Sequence, residues 1–236
     1  MTCRELDSDI PYPYILIRDK KGEIVGPKRK MQWKKHVRTV GGDFVERNRS
    51  QNKTRAAAWF VSNCKTRSGR LSFVKALKNT LKPYGFTVDV YGKCGTLQCP
   101  RNAPSNCKYL LKNDYYFYMS MENSFDEDYV TEKLLTALQN DVVPIVYGGA
   151  DYSRFLPPGS YIDGRKQHVT ELAALMNKLI HSPKEYNKYF RWKRHYTYHN
   201  PSGAENVCAV CEALHDHKMQ KNSCKSDSSE RSRYTL

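Results

Sequence analysis

Short apolar segments alternate with amphipathic ones through the middle of the chain, and this alternation constrains the fold more than any other feature of the sequence. Four runs are continuously apolar, or alternate apolar and polar residues, over the length of a strand. They are residues 56–62, 86–92, 115–121 and 142–149. The runs between them predict helices, at residues 70–81, 107–111 and 124–141. Repeated strand–helix–strand order predicts a parallel sheet with right-handed crossovers, and therefore an α/β, Rossmann-like domain.

The chain divides into three parts where its composition changes. Residues 1–54 are polar, are interrupted by proline and glycine, and show no sustained period, so they predict an irregular connector. Residues 55–216 form the predicted Rossmann-like domain, which two further helices, near residues 168–181 and 184–196, would complete. Residues 217–236 are basic and rich in serine, which predicts a disordered tail.

Candidate ligand-binding residues follow the predicted strand 115–121. In open parallel sheets ligands bind beyond the carboxyl ends of the strands, so the strand-to-helix junctions are the informative positions. Here the strand is followed by Glu-Asn-Ser at 122–124 and by the predicted helix 124–141. Ser124 and Glu127 have the spacing of a capping box, which supports a helix start at this point.

Three polar side chains share one face of that predicted helix. Tyr129, Glu132 and Lys133 are related as i, i+3 and i+4. Lys133 would meet a diphosphate that is already attracted by the helix amino terminus, and Glu132 could accept hydrogen bonds from sugar hydroxyls. The alternative is that Glu132 and Lys133 are ordinary surface charges.

Two other junctions carry weaker signals. Arg70 stands in the first turn of a predicted helix, where a cation is unfavourable for the helix dipole, so its guanidinium could serve phosphate oxygens instead. A surface arginine is the alternative. Gly148 and Gly149 end a strand and permit close backbone approach to a ligand, although a simple turn explains them as well.

The cysteine content favours an oxidising compartment. An even number of eight cysteines fits disulfides, although the pairing cannot be deduced from spacing. They are Cys3, Cys64, Cys94, Cys99, Cys107, Cys208, Cys211 and Cys224. The Cys208-x-x-Cys211 pair could be half of a zinc site or a redox motif, but the other spacings do not supply the second half of a zinc site. Two sequons, at Asn48 and Asn52, predict N-glycosylation.

The net charge of +15 favours an anionic partner without choosing among nucleic acid, an acidic membrane and a nucleotide diphosphate. Much of the excess lies in residues 20–38 and in the tail after His217, where a solvated or disordered segment is the simplest interpretation. A basic nucleic-acid-binding module is the alternative class, but no nucleic-acid fold signature supports it. No run approaches the roughly 20 apolar residues of a membrane helix.

Several segments in order resemble the α1,3-fucosyltransferase family. They are WFVSNCKTRSGRLSFVKAL, the Cys-Gly loop at 94 and 95, MENSFDEDYVTEKLLTAL, VVPIVYGGADYSRFLPPGSYID, YFRW near residue 190 and the CAVC pair. The resemblance runs from about Asp7 to Leu214. It implies the carboxyl-terminal, donor-binding half of a GT-B glycosyltransferase.

The resemblance also implies a reaction and a set of donor-binding residues. L-fucose would pass from GDP-fucose to a GlcNAc hydroxyl of a glycoprotein or oligosaccharide acceptor, in α1,3 linkage and with inversion. Arg70 and Lys133 would hold the diphosphate, Tyr129 would line the fucose and phosphate pocket, Glu132 would bind donor hydroxyls, and Asn123 would order the adjacent loop. No cofactor is expected to bind tightly, although Mn²⁺ could stimulate the reaction, and no nucleic-acid partner is expected.

The remaining parts of such an enzyme are expected upstream of residue 1. These are the acceptor domain, the base carboxylate and a single-pass anchor to the Golgi membrane, so this chain alone is expected to bind GDP-fucose but to transfer fucose poorly or not at all. A non-catalytic GDP-sugar-binding protein is the alternative, and another GDP-sugar or a UDP-sugar stays open as donor. The acceptor also stays open between N-acetyllactosamine and the chitobiose core of an N-glycan.

Overall fold

The computed structural model describes residues 14–34, 48–99 and 104–202, with only the backbone of residues 104–106. The strands, in chain order, are β1 (Leu16–Asp19), β2 (Ile24–Gly26), β3 (Arg55–Phe60), β4 (Val88–Tyr91), β5 (Tyr115–Met121), β6 (Val143–Tyr147), β7 (Ile162–Asp163) and β8 (Tyr196–His199). The α-helices are α1 (Arg70–Leu81), α2 (Pro104–Asp114), α3 (Glu132–Gln139), α4 (Val169–Ile180) and α5 (Pro183–Lys188).

A five-stranded parallel sheet in the order β4-β3-β5-β6-β7 forms the centre of the fold. Every residue of β5 is buried, because helices cover both faces of the sheet and a central strand must then be apolar on both sides. Helices α1, α4 and α5 pack on one face, and α2 and α3 pack on the other. The α/β, Rossmann-like architecture predicted from the alternating pattern is confirmed.

Helix α3 begins later than predicted. It starts at Glu132 instead of residue 124, and residues 122–131 form a loop. In this loop the backbone N–H of Thr131 donates to Oε1 of Glu122 at 2.9 Å, and side-chain to backbone bonds of this kind compete with helix formation. The capping box proposed for Ser124 and Glu127 is therefore wrong, and Thr131 is the residue that precedes the helix.

The carboxyl-terminal elements also differ from prediction. The helix at 169–180 matches expectation, but the helix expected over residues 184–196 ends at Lys188. A short 3₁₀ turn, Arg191–Arg194, and strand β8 follow it. Aromatic residues at 196 and 198 alternate inward along β8, a period-2 pattern that was obscured by the basic residues around it.

The predicted irregular connector is more regular than expected. Strands β1 and β2 form an antiparallel sheet with β8, in the order β2-β1-β8. Ile15 and Ile17 are buried in one apolar cluster with Leu134 and Leu138 of α3, so the sheet covers the outer side of that helix. The domain boundaries at residues 54 and 216 stay predictions.

The Cys64–Cys94 disulfide joins the loop after β3 to the loop after β4, and the Cys99–Cys107 disulfide joins the loop after β4 to helix α2. The remaining four cysteines, including the Cys208–Cys211 pair, lie outside the described residues, as does the predicted tail at 217–236. Asn48 and Asn52 are exposed, and their glycosylation stays a prediction. No helix in the described part of the chain is long and apolar enough to cross a membrane.

Asp141 gathers several cations at the amino-terminal end of β6. Its Oδ1 accepts from Lys193 Nζ at 2.5 Å and from Arg49 Nε at 3.3 Å, and Lys112 Nζ lies 3.8 Å from Oδ2. Burial by itself would raise the pKa of this carboxyl, but the hydrogen bond from Lys193 and the surrounding charges outweigh burial and lower the pKa. The carboxylate thereby ties four separate segments of the chain together.

Replacing Asp141 with asparagine tests this cluster. Asparagine tolerates the φ of 53° at this position, so Asp141→Asn removes the charge and leaves the backbone unstrained. We expect the free energy of unfolding at pH 7 to fall by about 1–3 kcal/mol, because the partly buried cations of Lys193 and Arg49 lose their carboxylate partner. A carboxyl with a lowered folded-state pKa stabilises above its ordinary pKa of about 3.9, and this contribution disappears as the pH falls through the folded-state value.

Denaturant unfolding of the wild type and the variant from pH 7 to pH 2 measures the effect. The difference between the two proteins should shrink below about pH 4. Glu185→Gln, which removes an exposed partner of Lys188, is the control and should leave the profile nearly unchanged. A constant difference at all pH values would contradict the assignment.

Candidate functional site

The strand order creates a crevice between the carboxyl ends of β3 and β5. The chain passes from β3 outward to β4 and then returns to the opposite side of β3 as β5. The loops that follow β3 and β5 therefore diverge, and ligands of open α/β sheets bind at such a switch point. Both loops carry residues that the sequence singled out.

The buried carboxylate of Glu122 organises the β5–α3 loop. Glu122 is 2% exposed and follows β5 directly. Its Oε1 accepts from the backbone N–H of Thr131 at 2.9 Å and from the Thr131 hydroxyl at 2.9 Å, and its Oε2 accepts from Lys133 Nζ at 2.9 Å. One side chain thus fixes both the entry to α3 and the cation beside it.

Lys133 stands in the first turn of α3, at the crevice. Its ammonium has three donors. One goes to Glu122 and one to Thr131 Oγ1, at 2.6 Å. Among the described residues no third acceptor lies within hydrogen-bond distance of Lys133 Nζ, so one donor is available to a ligand, and a helix amino terminus such as that of α3 favours an anion.

Tyr129 and Glu132 lie near Lys133, but not on the helix face that the spacing predicted. Tyr129 belongs to the loop before α3, so the i, i+3, i+4 relationship is wrong for it. Tertiary packing nevertheless brings its ring centroid within 6.0 Å of Lys133 Nζ. The Glu132 side chain is 60% exposed, with its Oε1 3.7 Å from Lys133 Nζ, which leaves the carboxylate accessible.

Arg70 is buried beneath the crevice instead of projecting from it. Its NH1 donates to the carbonyl of Met121 at 2.7 Å, its NH2 donates to the carbonyl of Asn63 at 2.8 Å, and its guanidinium lies 5.4 Å from the centre of a Trp59 ring. Burial lowers its pKa. The surface-arginine alternative is excluded, and Arg70 joins the ends of β3 and β5. Its contact with phosphate stays a prediction.

Asn123 adds an unused polar atom to the crevice. Its backbone carbonyl accepts from the N–H of Ser68 at 3.2 Å, which couples the two loops. Its side-chain Oδ1 is buried and has no partner among the described residues. A buried carbonyl oxygen without a donor is a natural position for a ligand hydroxyl or a water molecule.

Gly148 and Gly149 serve the packing of neighbouring loops. A Cβ on Gly149 would lie 2.2 Å from the carbonyl oxygen of Phe125, and one on Gly148 would lie 2.3 Å from the Tyr152 hydroxyl. The backbone of the β5–α3 loop therefore lies directly over Gly149. Close approach of a ligand to these glycines stays a prediction, because the contacts that the structure shows there are made by the chain itself.

The sequence interpretation missed three contributors to the site, and Glu122, which it quoted only as the start of Glu-Asn-Ser, is one of them. Thr131 was quoted only as part of a motif, although a threonine that precedes an apolar helical run is a helix-start signal. Arg165 follows β7, donates to the carbonyl of Gly148 at 2.9 Å and lies 4.3 Å from the centre of the Phe125 ring. No local pattern marks Arg165, because its partners come from distant loops.

The fold and the site together define a Rossmann-like domain that presents a helix amino terminus and a lysine at its switch point. The chain belongs to glycosyltransferase family 10. The family model described as "Glycosyltransferase family 10 (fucosyltransferase) C-term" matches residues 50–229.

Two curated relatives from Drosophila melanogaster show how far the similarity extends. Alpha-(1,3)-fucosyltransferase C is 43% identical over 228 residues, which cover 93% of this chain and 51% of the relative. Glycoprotein 3-alpha-L-fucosyltransferase A is 38% identical over 200 residues, which cover 83% of this chain and 38% of the relative. The chain thus spans about half the length of these relatives, or less.

Solved structures agree on the fold. An α1,3-fucosyltransferase with GDP-fucose matches with a TM-score of 0.53 at 22% identity, over 70% of this chain and 48% of that one. An α1,3-fucosyltransferase with GDP matches with a TM-score of 0.54 at 20% identity, over the same shares of the two chains. At this identity the likeness supports the Rossmann-like fold and not the roles of individual side chains.

Replacing Glu122 with glutamine should break hydrogen bonds that hold the β5–α3 loop and should destabilise the protein. The amide of Glu122→Gln keeps one acceptor but turns a donor toward Lys133 or Thr131, so the free energy of unfolding should fall by about 2–4 kcal/mol. Glu132→Gln is the matched control: that side chain is 60% exposed, and the loss should stay within about 0.5 kcal/mol. Urea unfolding of the three proteins measures both. Equal losses would contradict the assigned role of Glu122.

Proposed function

We propose that this chain binds the donor of an α1,3-fucosyltransferase, which transfers L-fucose from GDP-fucose to a GlcNAc hydroxyl of a glycan with inversion. The observation that carries the proposal is the position of Lys133. It lies in the first turn of α3 at the switch point between β3 and β5, and a pyrophosphate is the ligand that such a position suits best. Membership of the fucosyltransferase family supports fucose as the sugar.

Lys133 contributes most as the glycosidic bond breaks. As the bond between fucose C1 and the phosphate lengthens, negative charge grows on GDP, and a fixed cation stabilises this charge more in the transition state than in the ground state. Glu122 and Thr131 hold the ammonium in place before the donor arrives. Little reorganisation is then needed at the moment of transfer.

Two of the other predicted residues, Tyr129 and Glu132, lie beside this cation, and Asn123 lies in the same β5–α3 loop. The accessible carboxylate of Glu132 accepts hydrogen bonds from donor hydroxyls, Tyr129 lines the pocket beside Lys133, and Asn123 offers its buried oxygen to the same ligand. Arg70 supports the phosphate site by fixing the two loops, and direct contact with phosphate would require it to exchange one of its carbonyl partners.

Inversion also requires a base that takes the proton of the acceptor hydroxyl. We assign no residue in the described part of the chain to this role. The acceptor is a glycoprotein or oligosaccharide, and the reaction takes place in the Golgi lumen, a compartment in which the Cys64–Cys94 and Cys99–Cys107 disulfides persist.

A thermal-shift titration with GDP, GDP-fucose and UDP tests donor binding. We expect GDP and GDP-fucose to stabilise the chain by about 2–3 kcal/mol at a hundredfold excess over Kd, and UDP not to do so. Lys133→Ala should weaken GDP binding by about tenfold or more, because a charge-assisted hydrogen bond is lost. Glu132→Gln should weaken GDP-fucose binding more than GDP binding, because that carboxylate is assigned to the sugar.

Added Mn²⁺ in the same titration shows whether a divalent ion contributes to binding. A chain that is folded by circular dichroism but unresponsive to GDP would overturn the proposed donor site. Equal stabilisation by GDP and UDP would overturn the assignment of guanine as the nucleobase of the donor. Transfer itself is measured with labelled GDP-fucose on N-acetyllactosamine and on a chitobiose-core glycopeptide, and product with one acceptor alone would decide between the two glycan classes.

A further inference from the structure

Two adjoining depressions lie against the β2-β1-β8 sheet, and neither contains a residue assigned to the donor. The larger has a volume of about 640 Å³ and the smaller about 280 Å³. Lys34 and Tyr196 line both, so the depressions are neighbours on one surface. We call this surface the basic groove.

Aromatic rings form one part of the basic groove. Trp33 and Tyr189 are partly exposed there, above the buried rings of Trp192 and Tyr196. The indole N–H of Trp33 donates to the carbonyl of Ser153 at 2.7 Å, and its ring meets Tyr196 edge to face at 5.1 Å. The Trp33 ring is therefore held in one orientation, so a ligand that stacks on it loses little entropy of ordering.

Lysines form the other part. Lys28, Lys30 and Lys34 are exposed and line the smaller depression, and in the described part of the chain none of their ammonium groups has an ion-pair partner. Asp19 is the acidic residue among the lining residues, and its Oδ1 accepts from the backbone N–H groups of Lys21 and Glu23. Three cations against one carboxylate leave the depression positively charged.

We propose that the basic groove binds an anionic oligosaccharide, in which sulfate or carboxylate groups meet the lysines and a sugar ring stacks on Trp33. The volume of the larger depression falls within the usual range of about 300–1,000 Å³ for ligand sites. Strongly charged oxygens pair well with ammonium groups, and the C–H face of a sugar suits an aromatic plane. This proposal takes only one premise from the proposed function, namely that the protein works in a compartment that contains glycans.

Two other anionic partners fit the groove less well. Aromatic rings beside lysines are also typical of sites that bind single-stranded nucleic acid. The two disulfides, however, favour an oxidising compartment, which is separate from nucleic acid. An acidic membrane would meet the lysines from a flat surface, whereas the aromatic lining is recessed, with Trp192 and Tyr196 only 7% and 4% exposed. A flexible oligosaccharide can enter such a recess.

The groove is linked to the loop that precedes α3. Arg154 Nε donates to the carbonyl of Lys28 at 3.2 Å, and the same guanidinium pairs with buried Asp128. Asp128 directly precedes Tyr129 in the loop that Glu122 organises. A ligand in the groove thus binds beside a segment that is joined to the donor site by a buried ion pair.

Isothermal titration with a heparin-derived sulfated tetrasaccharide, its desulfated counterpart and inorganic sulfate at equal ionic strength tests the proposal. We expect the sulfated sugar to bind and the triple variant Lys28→Gln, Lys30→Gln, Lys34→Gln to lose about tenfold or more in affinity. The matched control removes the same charge from the opposite face of the parallel sheet, through Lys75→Gln, Lys78→Gln and Lys82→Gln. It should change the affinity by less than about twofold.

A second variant separates ring stacking from charge. Trp33→Leu should lower the affinity for the tetrasaccharide several-fold and leave the affinity for inorganic sulfate unchanged, because sulfate alone does not contact the ring. Equal losses in the two triple variants would mean diffuse attraction to a basic protein and would overturn the proposal. Tighter binding of a single-stranded oligonucleotide or of phosphatidylserine vesicles, lost in the Lys28, Lys30 and Lys34 variant, would assign the groove to that partner and overturn it too.

GDP titrations on the same proteins keep the two proposals separate. We expect GDP to stabilise the groove variants as it does the wild type, which also shows that they are folded. GDP stabilisation without tetrasaccharide binding would overturn the groove proposal alone. Tetrasaccharide binding without GDP stabilisation would overturn the donor proposal alone.

Discussion

The carboxylate of Glu122 is the interaction on which the candidate site depends. It lies at the end of the fully buried strand β5 and accepts hydrogen bonds from the backbone and side chain of Thr131 and from Lys133. A buried charge is tolerated only when it is paired and hydrogen-bonded, and this one is both. Because Glu122 bonds to Thr131, the end of β5 fixes the position at which α3 begins. Because it also bonds to Lys133, it fixes the position of that ammonium beside the amino terminus of the helix.

The parallel sheet supplies the second constraint. Its order, β4-β3-β5-β6-β7, separates the loops after β3 and β5. Hydrogen bonds beneath the surface connect the two loops. Arg70 bridges the carbonyls of Asn63 and Met121, and Ser68 donates to the carbonyl of Asn123. These contacts brace the switch point between the carboxyl ends of β3 and β5. The Cys64–Cys94 disulfide further ties the β3–α1 loop to the loop after β4.

Predictions from the sequence were most accurate where burial alone decides the pattern. The limits of α1 and β5 were predicted to the residue, because α1 is amphipathic and β5 is covered on both faces. The start of α3 was placed eight residues too early, since the acidic and polar residues 124–131 look like a first helical turn but bond to one another and to Glu122. Strands β1 and β8 escaped notice because each is four residues long and pairs with a partner far along the chain.

The sequence by itself determined the α/β class, the family, and the residue types that an anionic ligand requires at a strand-to-helix junction. Periodicity and local motifs carry that information, because burial and helix-start chemistry depend on near neighbours. Only the tertiary structure decided what each side chain does there. It turned Arg70 inward to backbone carbonyls, made Glu122 the partner of Lys133, brought Tyr129 beside that lysine without a shared helix face, and set Trp33 beside Tyr196. These contacts join residues that are distant in the chain or lie outside any regular period, so no local pattern could specify them.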